Sequence, residues 1–219
     1  MTMKTIKHHL TKPLLMGYAA GTLPEAFNLV VATHISMCDE CRAALAEYDA
    51  LGGEVMMGTD PVDLSQDAFA ATMARIESGE IDRKTMTPKP PSGGVFPAPL
   101  QDYVNGDLDA VRWRRVGGGV RQMMLQTGQG ATARLLHIPA GTAVPDHGHR
   151  GMELTLVLQG AFVDETDRFG TGDLEVANEN LNHTPIAEAG MDCICLAATD
   201  APLAFNGLLP RIAQRFVGI

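Results

Sequence analysis

Three residues in the N-terminal part of the chain have the types and spacing of metal ligands. His34, Cys38 and Cys41 form the pattern H-x3-C-x2-C, and the two-residue gap between the cysteines is the gap found in zinc knuckles. A helical step of four residues would put His34 and Cys38 on one face. Zinc suits a mixed set of imidazole and thiolate ligands, and a structural zinc site needs four. The pattern therefore predicts a zinc site that requires one further ligand.

The fourth ligand of this first site is expected from the pair His8-His9, which stands immediately before the first predicted helix. Spacing alone does not decide which of the two histidines is the ligand. The alternative for Cys38 and Cys41 is a redox pair, but the βαβ pattern that surrounds thioredoxin-like CxxC motifs is absent here. The alternative for His34 is a histidine that is simply buried in the core. Metal binding is the interpretation that uses all of these residues together.

A second set of candidate ligands lies in the C-terminal half, in the pattern G-x5-H-x-H-x3-E-x6-G that begins at Gly141. Residues two apart on a strand share a face, so His147 and His149 can both point into a barrel. Glu153 can return to the same interior from the next segment, and His183 is the natural fourth ligand from a later strand. Three imidazoles and one carboxylate suit several metals, so the ligand set does not choose among them.

The elements that must position these residues fall into two domains. Residues 87–99 are rich in proline and glycine and show neither helical nor strand periodicity, which is typical of a semi-extended linker. The prediction is therefore a helical domain at 1–86 and a second domain at 100–219, hinged around 87–99. Each half carries enough hydrophobic residues to build its own core.

Four short helices are expected before the linker, from capping residues and apolar spacing. Four short helices bury only a small hydrophobic core, so a bound metal is expected to supply additional stability. The first is expected to open at Lys12-Pro13 and to end at Gly21, and the second to start with Thr22 and Pro24 and to run towards His34. The third is expected from about Asp39 to Leu51, stopped by Gly52-Gly53, and the fourth from roughly Gln66 to Ile76.

Short strands separated by turns are expected after the linker, which predicts an antiparallel β-barrel or jelly roll. The fold class is therefore α+β multidomain, with a four-helix zinc-binding head and a C-terminal antiparallel β-barrel. The expected strands are 134–138, 154–158, 160–163 and 193–197, and the expected turns are 117–119, 139–141, 167–172 and 188–190.

Charge and hydropathy exclude several classes of protein. The net charge of −9 divides into −5 for residues 1–86 and −4 for residues 87–219. Neither half has the basic surplus that a nucleic-acid-binding face needs, so direct nucleic-acid binding and a DNA-binding zinc module are not expected. An acidic chain suits a basic partner. No apolar run approaches the ~20 residues that span a bilayer, and no secretory signal is recognised, so a cytoplasmic protein is expected.

Residues 15–25, L-x-x-Y-A-A-G-T-L-P-E, followed by the motif at 34–42, resemble the zinc-binding anti-sigma domain. The resemblance implies that His9 joins His34, Cys38 and Cys41 as zinc ligands. It also implies that the head sequesters an alternative sigma factor of the extracytoplasmic-function type, by covering surfaces that the sigma factor needs to bind RNA polymerase.

The glycine-to-glycine pattern of the second half is similar to the first cupin motif at every fixed position. The second cupin motif is partial: Gly172, Asp173 and His183 fit, but the usual Pro-x-Gly before the histidine and the Asn after it are missing. This departure argues against catalytic equivalence to cupin enzymes. The alternative function is nevertheless a dioxygenase-like cupin metalloenzyme with a helical interaction module.

The order of a zinc-binding head and a cupin resembles the ChrR family of anti-sigma factors over essentially the whole chain, including P-D-H-G-H-R-G at 145–151 and D-E-T-D-R-F-G at 164–170. The resemblance implies a non-enzymatic regulator whose cupin releases the sigma factor when singlet oxygen or related oxidants appear. It implies a second zinc at His147, His149, Glu153 and His183.

Cys193 and Cys195 stand two apart on a predicted strand, so both sulfurs should face the same side. On the barrel interior they would lie near the second metal, where early oxidation is one interpretation. The other interpretation is that they are two small buried hydrophobic residues. The sequence leaves both open.

Overall fold

The computed structural model describes residues 5–79, 93–202 and 204–205. Within these residues no helix combines the length and apolar character needed to cross a membrane. We call the described residues up to 79 the helical head, and those from 93 onward the sheet part. The helices are α1 (Lys12–Ala19), α2 (Glu25–Met37), α3 (Asp39–Met57), α4 (Ala68–Glu77) and α5 (Ala98–Val104), with a 3₁₀ turn at Leu108–Ala110.

Four of the helices lie close to the positions that the sequence predicts before the linker, but the described residues contain a fifth helix and one predicted boundary differs. The third helix does not stop at Gly52-Gly53 and continues to Met57, because an interior glycine costs a helix only about 1 kcal/mol. The fifth helix, α5, begins inside the predicted linker. Pro97 is its N-cap and Pro99 lies in its first turn, where proline is well tolerated.

The predicted linker is only partly within the described residues. Residues 87–92 lie outside them, whereas Phe96 is buried and α5 contributes Leu100 and Val104 to the core. Phe96, at the C-terminal end of the predicted linker, therefore contributes to the core. The domain boundaries themselves stay a prediction.

In the part of the chain that the structure describes, twelve short strands build three antiparallel sheets. The first sheet has six strands in the order β1-β2-β3-β11-β5-β8, and the others have the orders β10-β6-β7 and β12-β4-β9. The described residues thus form three separate sheets rather than the single closed barrel that the sequence predicted, because the two- and three-residue strands pair only among themselves. The strands are β1 (Arg114–Gly117), β2 (Val120–Leu125), β3 (Thr132–Ile138), β4 (His147–Gly148), β5 (Glu153–Gln159), β6 (Ala161–Val163), β7 (Arg168–Gly170), β8 (Leu174–Ala177), β9 (Asn182–His183), β10 (Ile186–Ala187), β11 (Cys193–Thr199) and β12 (Ala204–Phe205).

Three predicted strands fall within β3, β5 and β11, and the fourth, 160–163, matches β6 except for Gly160, which precedes the strand. Gly118 and Gly119 form the predicted turn between β1 and β2, and both have positive φ, a conformation that glycine adopts at little cost. The segment 167–172 is not wholly a turn as predicted, because β7 occupies Arg168–Gly170 and pairs with β6.

The central strands β5 and β11 of the six-stranded sheet are buried on both faces. The inner face of the sheet packs against β6, β7 and β10 through residues such as Val157, Phe162 and Phe169. Its outer face packs directly against the head, where Val30 of α2 and Leu196 of β11 belong to one continuous cluster. Side chains of the head and of the sheet therefore share a core, and burying that apolar surface stabilises both together.

Two candidate metal centres

The first group of donor atoms lies where α1, α2 and α3 meet. His9 precedes α1, His34 is in the last turn of α2, Cys38 separates α2 from α3, and Cys41 is in the first turn of α3. One ligand atom from each of these four residues lies within 4.8 Å of the other three. The Nδ1 atom of His9 is 3.3 Å from the Sγ atom of Cys38, and the Nε2 atom of His34 is 3.3 Å from the Sγ atom of Cys41.

The geometry of this group fits a tetrahedral metal. Metal–nitrogen and metal–sulfur bonds of zinc-like length place neighbouring N and S ligands about 3.6 Å apart. The Sγ atom of Cys41 lies at a similar distance, 3.7 Å, from the Nδ1 atom of His9. Burial lowers the pKa of His34 to about 4, so its imidazole is neutral and can donate a lone pair. Burial raises the pKa of Cys41 to about 11, and a bound cation would favour its thiolate instead.

The head group differs from the sequence prediction in one local detail. His34 and Cys38 do not share a helical face, because α2 ends at Met37 and Cys38 has an extended backbone with φ −116°. Cys38 instead caps α3, and its sulfur accepts a hydrogen bond from the backbone N–H of Cys41. The break between the helices brings both sulfurs to the same point.

His9 and His8 point to different places. His9 lies in the donor group, and its other ring nitrogen, Nε2, is 3.4 Å from a carboxylate oxygen of Glu40. An outer carboxylate of this kind fixes the orientation of a metal-ligating imidazole. The His8 ring packs against the ring of Phe169 and lies 3.2 Å from Asp167 in the sheet part. The structure therefore brings His9, and not His8, to the sulfurs.

The second group consists of three buried histidines in the sheet part. His147 and His149 come from β4 and the residue after it, and His183 comes from β9, which pairs with β4. The Nε2 atom of His183 lies 3.2 Å from the Nε2 atoms of both other rings. Ligands on one metal at imidazole bond lengths are about 3.3 Å apart. Three converging ring nitrogens at this spacing fit a bound cation.

Partners on the far side of the rings orient two of these histidines. The Nδ1–H group of His147 donates to the carbonyl of Pro145 at 2.9 Å, and that of His183 donates to Asp164 at 2.8 Å. Each bond directs the Nε2 lone pair inward. Burial lowers the pKa values of His147 and His149 to about 4, so both rings are neutral, as metal ligation requires.

His183 has a different electrostatic environment. Burial alone would lower its pKa, but Glu175 and Asp164 beside its Nδ1 atom raise the pKa to about 9. Burial also raises the pKa of Glu175 to about 7, although His183 acts in the opposite direction. Asp164, Glu175 and His183 form a further compact group of possible ligands. A cation at the Nε2 atoms would displace a proton from this group.

Sequence reasoning missed Asp164 and Glu175. The pairing of the strands places Glu175 on the inner face of the sheet. Directly paired residues project to the same face, and one row of such pairs crosses β3, β11, β5 and β8 through Arg134, Ala197, Thr155 and Glu175. The only sequence signal was a glutamate within a short apolar strand, L-E-V-A.

Glu153, the expected fourth ligand of the second group, lies beside the three histidines. Its Oε2 atom is 4.0 Å from the Nδ1 atom of His149, and its Oε1 atom accepts a hydrogen bond from Thr155. It is outside the compact group that His147, His149 and His183 form. Its role as a ligand therefore stays a prediction.

Cys193 and Cys195 face the same side of β11, as the sequence predicted. Both are buried in the inner cluster of the six-stranded sheet, with their sulfurs 3.6 Å apart. Hydrogen bonding to Cys193 and burial raise the pKa of Cys195 well above its usual value. A protonated, buried thiol is a poor nucleophile, so this environment favours the interpretation as small hydrophobic residues.

Fold and donor groups together define a helical His/Cys metal-binding unit that packs on a cupin-like domain. Residues 101–202 match the family described as the ChrR cupin-like domain. The chain is 60% identical over 217 residues to the anti-sigma-E factor ChrR of Cereibacter sphaeroides. The alignment covers 98% of this chain and 100% of that relative. The chain belongs to the ChrR family of anti-sigma factors.

A solved structure supports the same assignment. The crystal structure of Rhodobacter sphaeroides SigE in complex with the anti-sigma ChrR aligns with a TM-score of 0.79 at 60% sequence identity. The alignment covers 90% of this chain and 100% of that chain. The shared fold therefore includes both the helices and the sheets.

Proposed function

We propose that this chain sequesters an alternative sigma factor of the extracytoplasmic-function type and releases it when singlet oxygen or a related oxidant acts on the cupin-like domain. The observation that carries the proposal is full-length similarity to ChrR, which was solved in complex with SigE. The alternative of a dioxygenase-like enzyme is set aside, because that full-length relative is an anti-sigma factor.

The surface that would hold the sigma factor consists of exposed apolar side chains of the second half of α3, of α4 and of the segment between these helices. No residue of α4 is buried, and Phe69 is 80% exposed. Exposed apolar surface of this extent marks a protein–protein interface. We call it the α3–α4 face. Its large apolar residues are Leu51, Val55, Met56, Met57, Val62, Leu64, Phe69, Met73 and Ile76.

Acidic residues surround the α3–α4 face. Asp60, Asp63 and Asp67 lie between α3 and α4 or at the start of α4, and all three are exposed. They suit a partner with basic surfaces, such as a protein that normally contacts DNA. An apolar centre with a charged rim is the usual arrangement of a specific interface.

Zinc is the metal that the head group would hold. His9, His34, Cys38 and Cys41 offer two nitrogens and two sulfurs, which zinc binds as a closed structural site. The four residues join the N-terminal segment to α2 and α3, so the bound ion would fix the relative geometry of the helices. The head at 1–86 would then present the α3–α4 face to the sigma factor.

A second zinc is proposed for the cupin-like domain at 100–219. His147, His149 and His183 would hold it, with Glu153 as the fourth ligand after a shift of its side chain. Zinc supplies Lewis acidity and charge rather than redox chemistry. Residues 87–99 would link this regulatory domain to the head.

The test of the proposed interface compares two truncations of exposed apolar side chains. Phe69→Ala alters the α3–α4 face, and the control Val163→Ala alters β6, where Val163 is also exposed. Neither change removes buried contacts, so the melting temperature should stay within about 2 °C of wild type for both. Phe69→Ala should weaken binding of the sigma factor encoded in the same genome by about tenfold or more. Equal affinity of the two variants would contradict the assignment of this surface.

A further inference from the structure

The N-terminal segment of the head lies against the turn that joins β7 to β8. The Oδ1 atom of Asp173 accepts hydrogen bonds from the backbone N–H groups of Lys7 at 2.6 Å and His8 at 3.0 Å. The backbone N–H of Leu174 donates to the carbonyl of His8 at 3.1 Å. Two backbone amides bound to one buried carboxylate form a strong, directional contact. We call residues 6–9 the His9 arm.

Close packing accompanies these hydrogen bonds. Gly172 has φ +94°, and a Cβ atom at this position would be 2.7 Å from the side chain of Ile6 and 3.8 Å from Met37 at the end of α2. Any side chain larger than hydrogen would therefore force the side chain of Ile6 to move and would strain the backbone of the turn. The turn therefore lies against the arm, which carries His9, and against the end of α2, the helix that carries His34.

The two ends of this contact lead to the two candidate metal centres. On the head side, His9 directly follows the two bound amides, and its Nδ1 atom is 3.3 Å from Cys38 Sγ. On the sheet side, Glu175 is two residues after Asp173, and its Oε1 atom is 3.1 Å from Nδ1 of His183. The Nε2 atom of His183 belongs to the three-histidine group. A short stretch of chain on either side of Asp173 therefore joins both centres.

We propose that Asp173 is a positioning residue that holds the His9 arm on β8 and transmits a change at the three-histidine centre to the metal centre of the head. The transmission rests on the proposed function, whereas the holding of His9 does not. A shift of His183 would move Glu175 and with it the first residues of β8. Because Asp173 holds the amides of Lys7 and His8, the same shift would displace His9 from its metal. The α3–α4 face would then lose the rigid support of the metal site.

The first experiment measures zinc release from the full chain with a chelator, in a His147→Ala background in which only the head ion is counted. Asp173→Asn removes the charge that holds the arm and should accelerate release about tenfold, which corresponds to one charge-assisted hydrogen bond. The matched control is Asp192→Asn, because Asp192 also accepts a backbone N–H, from Ala140, but far along the sequence from the arm. The control should release zinc at the background rate.

Amide hydrogen exchange provides a readout that a general loss of stability would not reproduce. In Asp173→Asn the amides of Lys7 and His8 should exchange faster, while amides inside α2 and β11 should keep their protection. If Asp173→Asn fails to fold, Ile6→Ala alters the arm without touching the turn and should also accelerate zinc release. Unchanged release and unchanged exchange in the folded variants would overturn the positioning role.

The regulatory half of the proposal is tested with the sigma factor bound. In the zinc-loaded complex of Asp173→Asn with the sigma factor, release by singlet oxygen should become insensitive to His183→Ala, because the connection is already broken. The proposed transmission through Asp173 would be overturned if Asp173→Asn released the sigma factor to the same extent as wild type and with the same dependence on His183. Failure of the wild-type chain to bind the sigma factor would instead contradict the proposed function, and the zinc-release result would stand independently.

Discussion

At the scale of single residues, Cys38 connects local structure to metal binding. It ends α2, caps α3 and lies 3.3 Å from His9, so one side chain serves a helix boundary and a donor group at once. A serine would keep the capping capacity but lose the thiolate. The two roles can therefore be separated by substitution.

Cys38→Ser is expected to lose the head zinc and keep the second one. Elemental analysis of the purified chain should show one zinc fewer than wild type. The protein should also unfold at a lower temperature, because the bound metal no longer stabilises the folded state. Cys193→Ala is the control, since Cys193 is buried outside both donor groups. An unchanged zinc content in Cys38→Ser would contradict the assignment of the head ligands.

The donor residues themselves could be predicted because their types and spacing are local. His34, Cys38 and Cys41 fall within eight positions, and their pattern alone indicated a metal. Asp164 and Glu175 could not be found in this way, because their contact with His183 depends on strand pairings between distant segments. The choice of His9 rather than His8 likewise depends on where the arm lies on the sheet part.

At the scale of elements, α2 is tied to the sheet part by polar contacts as well as by the core. Glu25 in the first turn of α2 accepts a hydrogen bond from the hydroxyl of Tyr103 in α5 at 2.7 Å and another from the backbone N–H of Gly128. An acidic residue is also favourable at a helix N-terminus. The start of α2 is therefore held at two points outside the head.

Tyr103 should give this contact a signature at alkaline pH. Burial and the neighbouring Glu25 raise the pKa of Tyr103 to about 12, compared with about 10 in the unfolded chain. The raised value favours the folded state below about pH 10, and this stabilisation is lost as the pH rises towards about 12. A phenolate absorbance titration of the wild-type chain should show a component near pH 12 that is absent from Tyr103→Phe. Identical titration curves would contradict the contact.

Helix and strand positions were largely predictable from apolar periodicity, but the ends of elements were not. The continuation of α3 past Gly52-Gly53 has no local signal, and α5 was hidden by the prolines around Pro97. The division into three sheets was also not readable, because which short strands pair is decided by the tertiary packing.

At the scale of the whole molecule, the head and the sheet part share one hydrophobic core. Leu196 of β11 is fully buried on the face that packs against α2, and Val30 of α2 belongs to the same cluster. A sequence-based view of two hinged domains does not include this contact, because apolar patterns show that a face is buried but not what buries it.

Leu196→Ala is expected to destabilise both parts together, by about 2–5 kcal/mol. Far-UV circular dichroism, which follows the helices, and the fluorescence of Trp113, which precedes β1, should shift to the same lower unfolding midpoint. Met191→Ala is the control, because Met191 is exposed, and it should change the stability by less than about 0.5 kcal/mol. Separate midpoints for helices and sheets would show that the shared core does not couple them.

The central claim is that the full chain is an anti-sigma factor, and transcription with purified components tests it most directly. RNA polymerase, the extracytoplasmic-function sigma factor of the same genome and its promoter would be combined with the zinc-loaded chain. We predict a stable one-to-one complex with the sigma factor, inhibition at stoichiometric amounts and recovery of transcription after exposure to singlet oxygen. Full transcription in the presence of excess folded, zinc-loaded chain would contradict the account.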